Sequence, residues 1–309
     1  MIKGLTKLQK LSFVISGLVI SGLAFILILY IFKPPSNSAK KPAASPQAAQ
    51  KATPDDPLTI AAIRSRQYAA SEITTLQTLG SRENYSDAIV SYRSDGLAIR
   101  ALVSTPNAPK PAAGWPVVIL DHGYINPTEY QTNSSDYREF IAAFTRAGYM
   151  VVKPDYRGHG LSEGSPEGGH YSPAYAYDNL NLVASLQQFN QVDKSRIGLF
   201  GHSLGGHIAL RTIVVSPDVK ATVIMSGVVG SIDDLFYNWT RSPNARPPTG
   251  LIRSARAALV EKYGEPRANP DFWNNVSAIN YVDAVTGPVQ IQHSEGDSVV
   301  PKLFADHLN

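Results

Sequence analysis

A serine between two glycines lies about two thirds of the way along this 309-residue chain, in the sequence Gly201-His202-Ser203-Leu204-Gly205. The pattern G-x-S-x-G is typical of a nucleophile elbow, a strained turn that exposes a serine hydroxyl between a strand and a helix. Strand and helix approach closely there, so the flanking positions must be as small as glycine. The motif predicts that the Ser203 hydroxyl stands clear as a nucleophile. The Leu204 N–H would then point at the carbonyl oxygen under attack.

The segments on either side of the motif favour this interpretation. Residues 196–200 are strand-like, and residues 204–215 are apolar and helical. Without that context, the alternative would be a structural turn with an inert serine. The elbow therefore depends on a strand and a helix that the surrounding sequence predicts.

The rest of the chain predicts strands that alternate with helices. This alternation is typical of an α/β fold with a mainly parallel sheet and helices on both faces. Ser94-Asp95-Gly96 indicates a hairpin turn. The predicted strands are residues 85–93, 97–104, 115–121, 149–153, 196–200, 221–225 and 288–292, and the predicted helices are residues 59–74, 136–147, 175–189 and 204–215, with a helix start at 298.

Polar or glycine-containing loops follow three of these strands. His122-Gly123-Tyr124 follows the strand that ends at residue 121, Ser203 follows the strand that ends at residue 200, and Asp297 follows the last strand. Sites in such sheets form at the carboxyl ends of the strands. We therefore expect these three loops to meet at one edge of the sheet.

From residue 88 onward the chain resembles the α/β-hydrolase fold, and most closely the prolyl-oligopeptidase-like and dienelactone-hydrolase-like serine hydrolases. The resemblance implies Ser203 as nucleophile, Asp297 as the acid, and the Tyr124 and Leu204 N–H groups as the oxyanion hole. Glu295 is the rival acid. The motifs that carry the resemblance are Ser91-Tyr-Arg-Ser-Asp-Gly-Leu-Ala-Ile99, Asp121-His-Gly-Tyr124, Asp155-Tyr-Arg-Gly-His-Gly160, Gly201-His-Ser-Leu-Gly-Gly206 and His293-Ser-Glu-Gly-Asp-Ser-Val-Val-Pro301.

The base of the triad has no matching histidine. Such enzymes place their triad in the order Ser, acid, His, and His307 lies only ten residues after Asp297. That spacing is too short for a crossover and a return strand. We expect the sequence to stop short of the base, as a fragment, which would leave an uncovered edge at residues 288–292. A natural loss of catalysis is the alternative.

The other histidines have separate interpretations. His159 either touches substrate or only supports its own turn. The remaining ones are His122 in the oxyanion loop, His202 as the variable residue of the elbow, His207 one helical turn after the serine, His293 before the acid loop, and His170, which has no assigned role.

The N-terminal part of the chain predicts a membrane anchor. Residues 11–32 contain no charge, and as a helix this run would be about 33 Å long, enough to cross a bilayer core. Lys3, Lys7 and Lys10 precede it and indicate a cytoplasmic N-terminus at residues 1–10. A cleaved signal peptide is the alternative. Residues 33–57 indicate a Pro- and Ala-rich linker, and residues 58–309 the hydrolase domain on the extracytoplasmic side.

A cap is predicted at residues 231–283, which lack a strand pattern and follow a strand end. Their aromatic residues either line a substrate pocket or dock the cap to the core. These aromatic residues are Phe236, Tyr237, Trp239, Tyr263, Phe272 and Trp273.

Composition narrows the function further. The net charge is only +3 and cysteine is absent, so the sequence indicates no nucleic-acid partner and no disulfide framework. It shows no metal-ligand cluster or phosphate loop, and we expect no cofactor. We predict a single-pass membrane serine hydrolase that cleaves a small carboxylic ester or a peptide or amide bond through an acyl-enzyme. The alternative from another class is a membrane-tethered, catalytically inactive binding module.

Overall fold

The structure, a computed structural model, describes residues 56–239 and 250–309. One sheet of eight strands organises this part of the chain. The strands are β1 (Thr74–Ser81), β2 (Tyr85–Ser94), β3 (Leu97–Pro106), β4 (Trp115–Asp121), β5 (Met150–Pro154), β6 (Val192–His202), β7 (Ala221–Met225) and β8 (Val289–Gln292). Their order across the sheet is β1-β2-β3-β5-β4-β6-β7-β8. Strands β4 to β8 pair in parallel, whereas β1, β2 and β3 pair antiparallel.

Helices lie between the strands, as the alternating pattern predicts. The described helices are α1 (Ile60–Ser65), α2 (Arg138–Arg146), α3 (Ala174–Leu186), α4 (Leu204–Ile213), α5 (Gly250–Tyr263), α6 (Pro270–Val276) and α7 (Leu303–Leu308). Short 3₁₀ segments occupy Gly169–Tyr171 and Ala278–Ala284, and a π-helical turn occupies Asp234–Asn238. The predicted α/β fold with a mainly parallel sheet is confirmed.

The central strand β4 is buried along its whole length. Alternate side chains of a strand point to opposite faces, so a strand covered on both faces reads as a continuous apolar run. Leu120 packs with Ile141 of α2 on one face. Ile119 belongs to the core of the other face, together with Leu186 of α3 and Leu210 of α4. This double coverage fixes the strand that carries the predicted oxyanion loop.

The hairpin between β2 and β3 is confirmed. Asp95 and Gly96 both have positive φ, at 53° and 82°, and Ser94 pairs with Leu97. Two central residues with positive φ make the tight turn that suits the twist of the flanking strands.

The predicted helix at residues 59–74 is wrong beyond its first turns. Helix α1 ends at Ser65, and Arg66 is already extended. The chain then forms β1, which no pattern indicated. All but one of the β1 residues are exposed, because the strand pairs with one edge of the sheet and covers little core. Without burial there is no apolar alternation by which to recognise it.

The predicted helix start at residue 298 is also wrong. Helix α7 begins at Leu303. The Asp297 carboxylate accepts hydrogen bonds from the N–H groups of Val299 and Val300, at 2.9 and 3.0 Å. A side chain that accepts hydrogen bonds from two successive backbone N–H groups stabilises a turn, which competes with a helix at these residues.

The last strand, β8, has an uncovered edge within the described part of the chain. Most of its side chains are exposed, and Val289 is 37% exposed. A groove beside it is lined by apolar residues that include Leu210, Ile213 and Ile291. The uncovered edge expected at residues 288–292 is therefore present in the described residues.

The cap predicted at residues 231–283 contains helices and no strand in its described residues, 231–239 and 250–283. Four of its aromatic side chains are buried: Phe236, Tyr263, Phe272 and Trp273. The Phe272 and Tyr263 rings stack with their centroids 4.0 Å apart. These contacts favour docking to the core over the lining of a pocket.

The predicted anchor at residues 11–32 and almost all of the predicted linker lie outside the described residues, so both remain predictions. Within residues 56–239 and 250–309, none of the helices combines the length and the apolar character that a bilayer crossing requires.

Candidate active site

Ser203 lies between β6 and α4 in a backbone conformation that residues other than glycine rarely adopt, with φ 54° and ψ −117°. Such a conformation costs about 1–3 kcal/mol and persists only where the surroundings hold it. The Ser203 N–H donates to Met225 O at 3.1 Å, and its carbonyl accepts from the N–H groups of Gly206 and Val228, both at 3.0 Å. The turn is therefore the strained elbow that the motif predicts.

The glycines around the elbow are required by close backbone contacts. A Cβ on Gly201 would lie 2.5 Å from the Gly205 carbonyl oxygen, and a Cβ on Gly205 would lie 1.9 Å from the Asp121 carbonyl oxygen. Carbon and oxygen do not approach so closely without bonding. The sequence argument that these positions must be small is confirmed.

The loop after β4 meets the elbow at Gly123. A Cβ on Gly123 would lie 3.1 Å from the Ser203 Cβ. The N–H groups of Tyr124 and Leu204 make no hydrogen bond to any acceptor among the described residues. Their free donors and their place beside Ser203 fit the predicted oxyanion hole, whose catalytic role stays a prediction.

Asp297 follows β8 and reaches the neighbouring strand. Burial by itself raises the pKa of the Asp297 carboxyl. The hydrogen bonds from the Val300 and Val299 N–H groups, and to a smaller extent from the Ser226 hydroxyl, outweigh burial and lower this pKa below its usual value. Ser226 directly follows β7, and its N–H donates to Gln292 O at 2.8 Å. The structure thus places an ionised carboxylate beside the strand next to the elbow.

Glu295, the rival acid, points away from this position. Its side chain is 87% exposed and its carboxylate lies 3.6 Å from the Lys302 ammonium. The geometry favours Asp297 as the acid of the site.

The histidines do not complete a triad within residues 56–239 and 250–309. The Ser203 hydroxyl has no hydrogen-bond partner among the described residues. His293 Nε2 lies 3.4 Å from Asp297 Oδ2 but 2.9 Å from the Val300 carbonyl oxygen, so its N–H donates to the carbonyl. His307 bonds a different carboxylate, that of Asp234, at 3.0 Å. This contact agrees with the sequence argument that His307 follows Asp297 too closely to be the base of the triad.

Comparison with known proteins supports the interpretation of these motifs. A family model described as serine aminopeptidase, S33, matches residues 116–269. An uncharacterised peptidase of Bacillus subtilis, YtmA, is 24% identical over 214 residues, which are 68% of this chain and 73% of that protein.

Solved structures share the fold. Acetyl xylan esterase 1 of Thermoanaerobacterium superposes with a TM-score of 0.58 at 18% identity and covers 78% of each chain. The chain has the α/β-hydrolase fold. A puromycin-hydrolysing peptidase of Mycobacterium tuberculosis has a TM-score of 0.56 at 21% identity, over 74% of this chain and 34% of that one. The resemblance to prolyl-oligopeptidase-like serine hydrolases is confirmed, and the α/β-hydrolase has relatives among both peptidases and esterases.

A buried polar network supports the loop after β4, the predicted oxyanion loop. The Lys153 ammonium donates to the Tyr130 hydroxyl at 2.9 Å, and that hydroxyl donates to Asp155 Oδ1 at 3.0 Å. Burial lowers the pKa of Lys153 to about 8 and raises the pKa of Asp155 to about 7. The Tyr130 ring stacks on His122 of the loop with centroids 4.7 Å apart. Sequence reasoning missed this network because Tyr130, which joins Lys153 to Asp155, lies 23 residues before Lys153.

His159 packs in the interior of the fold. Its side chain is 1% exposed, and its ring meets those of Tyr130, Tyr156 and Tyr175 edge-on. Burial lowers the pKa of His159 to about 4. Of the two alternatives for this residue, the structure favours the supporting role.

The buried His159 predicts a loss of stability in acid. In the unfolded chain its pKa is about 6.5, so between pH 6.5 and pH 4 the unfolded state binds a proton that the folded state does not. Stability is therefore lost as the pH falls through this window, by up to about 3 kcal/mol. Between pH 7.5 and pH 4.5 the free energy of unfolding should fall in both proteins. We expect the fall to be about 2–3 kcal/mol smaller in His159→Phe than in the wild type, as measured by urea unfolding.

A comparison of the two proteins at both pH values cancels the cost of the substitution itself and the contributions of other buried histidines. Equal losses of unfolding free energy in the two proteins would show that His159 does not titrate in this window.

Proposed function

We propose that this α/β-hydrolase cleaves carboxylic esters or amide bonds through an acyl-enzyme on Ser203. The observation that supports the proposal is the strained elbow, which presents the serine beside two free backbone N–H groups. Ser203 Oγ would attack the carbonyl carbon, and the bond to the leaving alcohol or amine would break. Water would then hydrolyse the acyl ester and restore the hydroxyl.

The two N–H groups would stabilise the negative charge that develops on the carbonyl oxygen. In comparable sites one such donor contributes about 3–4 kcal/mol to the transition state. Tyr124 and Leu204 supply the donors in this proposal. Asp297 would remain ionised and orient the base.

The Oγ proton also needs a base, because a serine hydroxyl is a weak nucleophile without one. The described residues place none in hydrogen-bond contact with Ser203. General-base catalysis typically contributes about 10²–10⁴-fold. We therefore expect the Ser203 hydroxyl of the 309-residue chain to be acylated more slowly, by about this factor, than the serine of a hydrolase whose base contacts it.

The proposal is tested with a fluorophosphonate probe, which phosphonylates an activated serine. We expect slow labelling of the wild type, mapped by mass spectrometry to the peptide that contains Ser203, and none of Ser203→Ala. Ser195→Ala is a matched control, because among the described residues the exposed Ser195 hydroxyl bonds only Asp193, at 2.6 Å. This variant should label like the wild type.

Equal labelling of the wild type and Ser203→Ala would refute the proposal and favour the non-catalytic binding module. For a chain that labels as expected, parallel assays with a nitrophenyl acetate and an aminoacyl nitroanilide distinguish an esterase from a peptidase.

A further inference from the structure

One side chain joins the loop after β4 to the elbow. The Tyr137 hydroxyl oxygen lies 2.7 Å from the Gly123 N and 2.7 Å from His202 Nδ1. No sequence motif indicated Tyr137, which precedes helix α2 by one residue. It lies 66 residues before Ser203, so only the fold brings the two together.

The direction of these hydrogen bonds follows from the donors present. The Gly123 N–H can only donate, so the Tyr137 oxygen accepts from it. The hydroxyl hydrogen is then available to Nδ1 of His202, and our proposal assigns the ring to the neutral tautomer with its proton on Nε2, in which Nδ1 accepts. Burial raises the pKa of Tyr137 to about 12 and lowers the pKa of His202, so both groups stay neutral near pH 7.

The bridge lies where the loop and the elbow are in closest contact. A Cβ on Gly123 would lie 3.0 Å from Tyr137 Oη, 3.1 Å from His202 Nδ1 and 3.1 Å from the Ser203 Cβ. Gly123 immediately precedes Tyr124, whose N–H is the proposed oxyanion donor. Only two soft dihedral angles separate the bonded Gly123 N–H from the next peptide plane, so holding the first restricts the second.

The Tyr137 backbone is strained in the conformation that places this hydroxyl. Its φ is 63° and its ψ is 8°, in the left-handed region, which is unfavourable for a residue with a Cβ. Strain of this kind persists where the surrounding structure enforces it and clusters at functional sites. The conformation directs the ring back toward the elbow, where it meets the His202 ring with centroids 5.6 Å apart.

We propose that Tyr137 is a positioning residue, whose hydroxyl holds the oxyanion loop on the elbow so that the N–H groups of Tyr124 and Leu204 converge. The role rests on the proposed function for its chemistry. The bridge itself is a structural feature that can be measured without activity.

The test uses the full chain and Tyr137→Phe, which removes only the hydroxyl. We expect the Gly123 amide to exchange with solvent about 2- to 10-fold faster, the effect of losing one hydrogen bond, and Tyr124 to exchange faster with it. The ¹⁵N signals of the His202 ring should move toward a mixture of tautomers. Tyr149→Phe is the control, because this exposed tyrosine follows the same helix and its hydroxyl has no bond to the described residues.

The same variants are then labelled with the fluorophosphonate. Removal of one oxyanion donor typically costs about 10²–10³-fold, and a displaced donor should cost part of that. We expect the maximal labelling rate to fall at least about 10-fold in Tyr137→Phe, with the probe concentration for half-maximal rate unchanged.

The outcomes separate the two proposals. Unchanged Gly123 and His202 signals in Tyr137→Phe would overturn the positioning role, as would altered signals with an unchanged labelling rate. If the wild type itself does not label, the proposed function fails, and the amide exchange of Gly123 and Tyr124 still decides whether Tyr137 holds the loop.

Discussion

Gly205→Ala is expected to destabilise this α/β-hydrolase fold strongly. The added Cβ would lie 1.9 Å from the Asp121 carbonyl oxygen, 2.4 Å from the Asp121 carbonyl carbon and 2.9 Å from the His122 carbonyl oxygen. All three atoms are backbone at the end of β4, a strand buried on both faces, so none can move aside as a side chain would. Ordinary overpacking costs about 1–3 kcal/mol, and we expect more than about 4 kcal/mol here.

That cost is a large part of the about 5–15 kcal/mol by which a domain is stable. A glycine-to-alanine substitution inside a helix normally stabilises the helix, by about 0.8–1 kcal/mol. At Gly205 we expect the opposite, a loss of stability. Soluble yield and the urea midpoint measure the effect.

Gly250→Ala is the matched control. Gly250 also lies in a helix, and a Cβ there would meet nothing within 4 Å. We expect this variant to be as stable as the wild type or slightly more so. A Gly205→Ala protein that unfolds within about 1 kcal/mol of the wild type would contradict the close packing of elbow and β4.

Asp178→Asn is expected to destabilise the fold by about 3–5 kcal/mol, because it leaves a largely buried arginine without its main partner. The Asp178 side chain is fully buried and lies 2.7 Å from Arg157 Nη2. It also accepts from Arg157 Nε at 3.1 Å and from the Arg157 backbone N–H at 2.9 Å. Burial raises the pKa of Asp178 even against the attraction of Arg157, so desolvation is a large part of the energetics of this pair.

The same arginine offers its own control. Arg157 Nη2 lies 2.8 Å from Asp95 Oδ2, but that side chain is 23% exposed. Exposed ion pairs contribute about 0–1 kcal/mol, so Asp95→Asn should cost less than about 1 kcal/mol, and asparagine tolerates the positive φ at this turn. Equal costs for the two substitutions in urea unfolding would show that burial does not decide the strength of these pairs.

The sequence by itself determined the elements that local pattern specifies. The residues of β4 and β7 were predicted with the bounds that the structure shows. For β4 the reason is burial on both faces, which requires a continuously apolar strand. The elbow was likewise evident, since its glycines and Ser203 are neighbours in the chain and their requirement is local. The loops that follow parallel strands meet at one edge of the sheet. The order of the predicted strands therefore indicated that the Asp297 loop lies at the same edge as the elbow.

The tertiary structure decided what depends on groups distant in the chain. Strand β1 exists because β2 offers an edge, and its exposed residues carry no signal of their own. The Asp297 carboxylate accepts hydrogen bonds from two backbone N–H groups, and helix α7 begins only at Leu303. Tyr137 and the Lys153 network reach the loop after β4 only through the folded arrangement. A single hydrogen bond between distant residues constrains neither composition nor periodicity, so it becomes visible only when the fold brings donor and acceptor together.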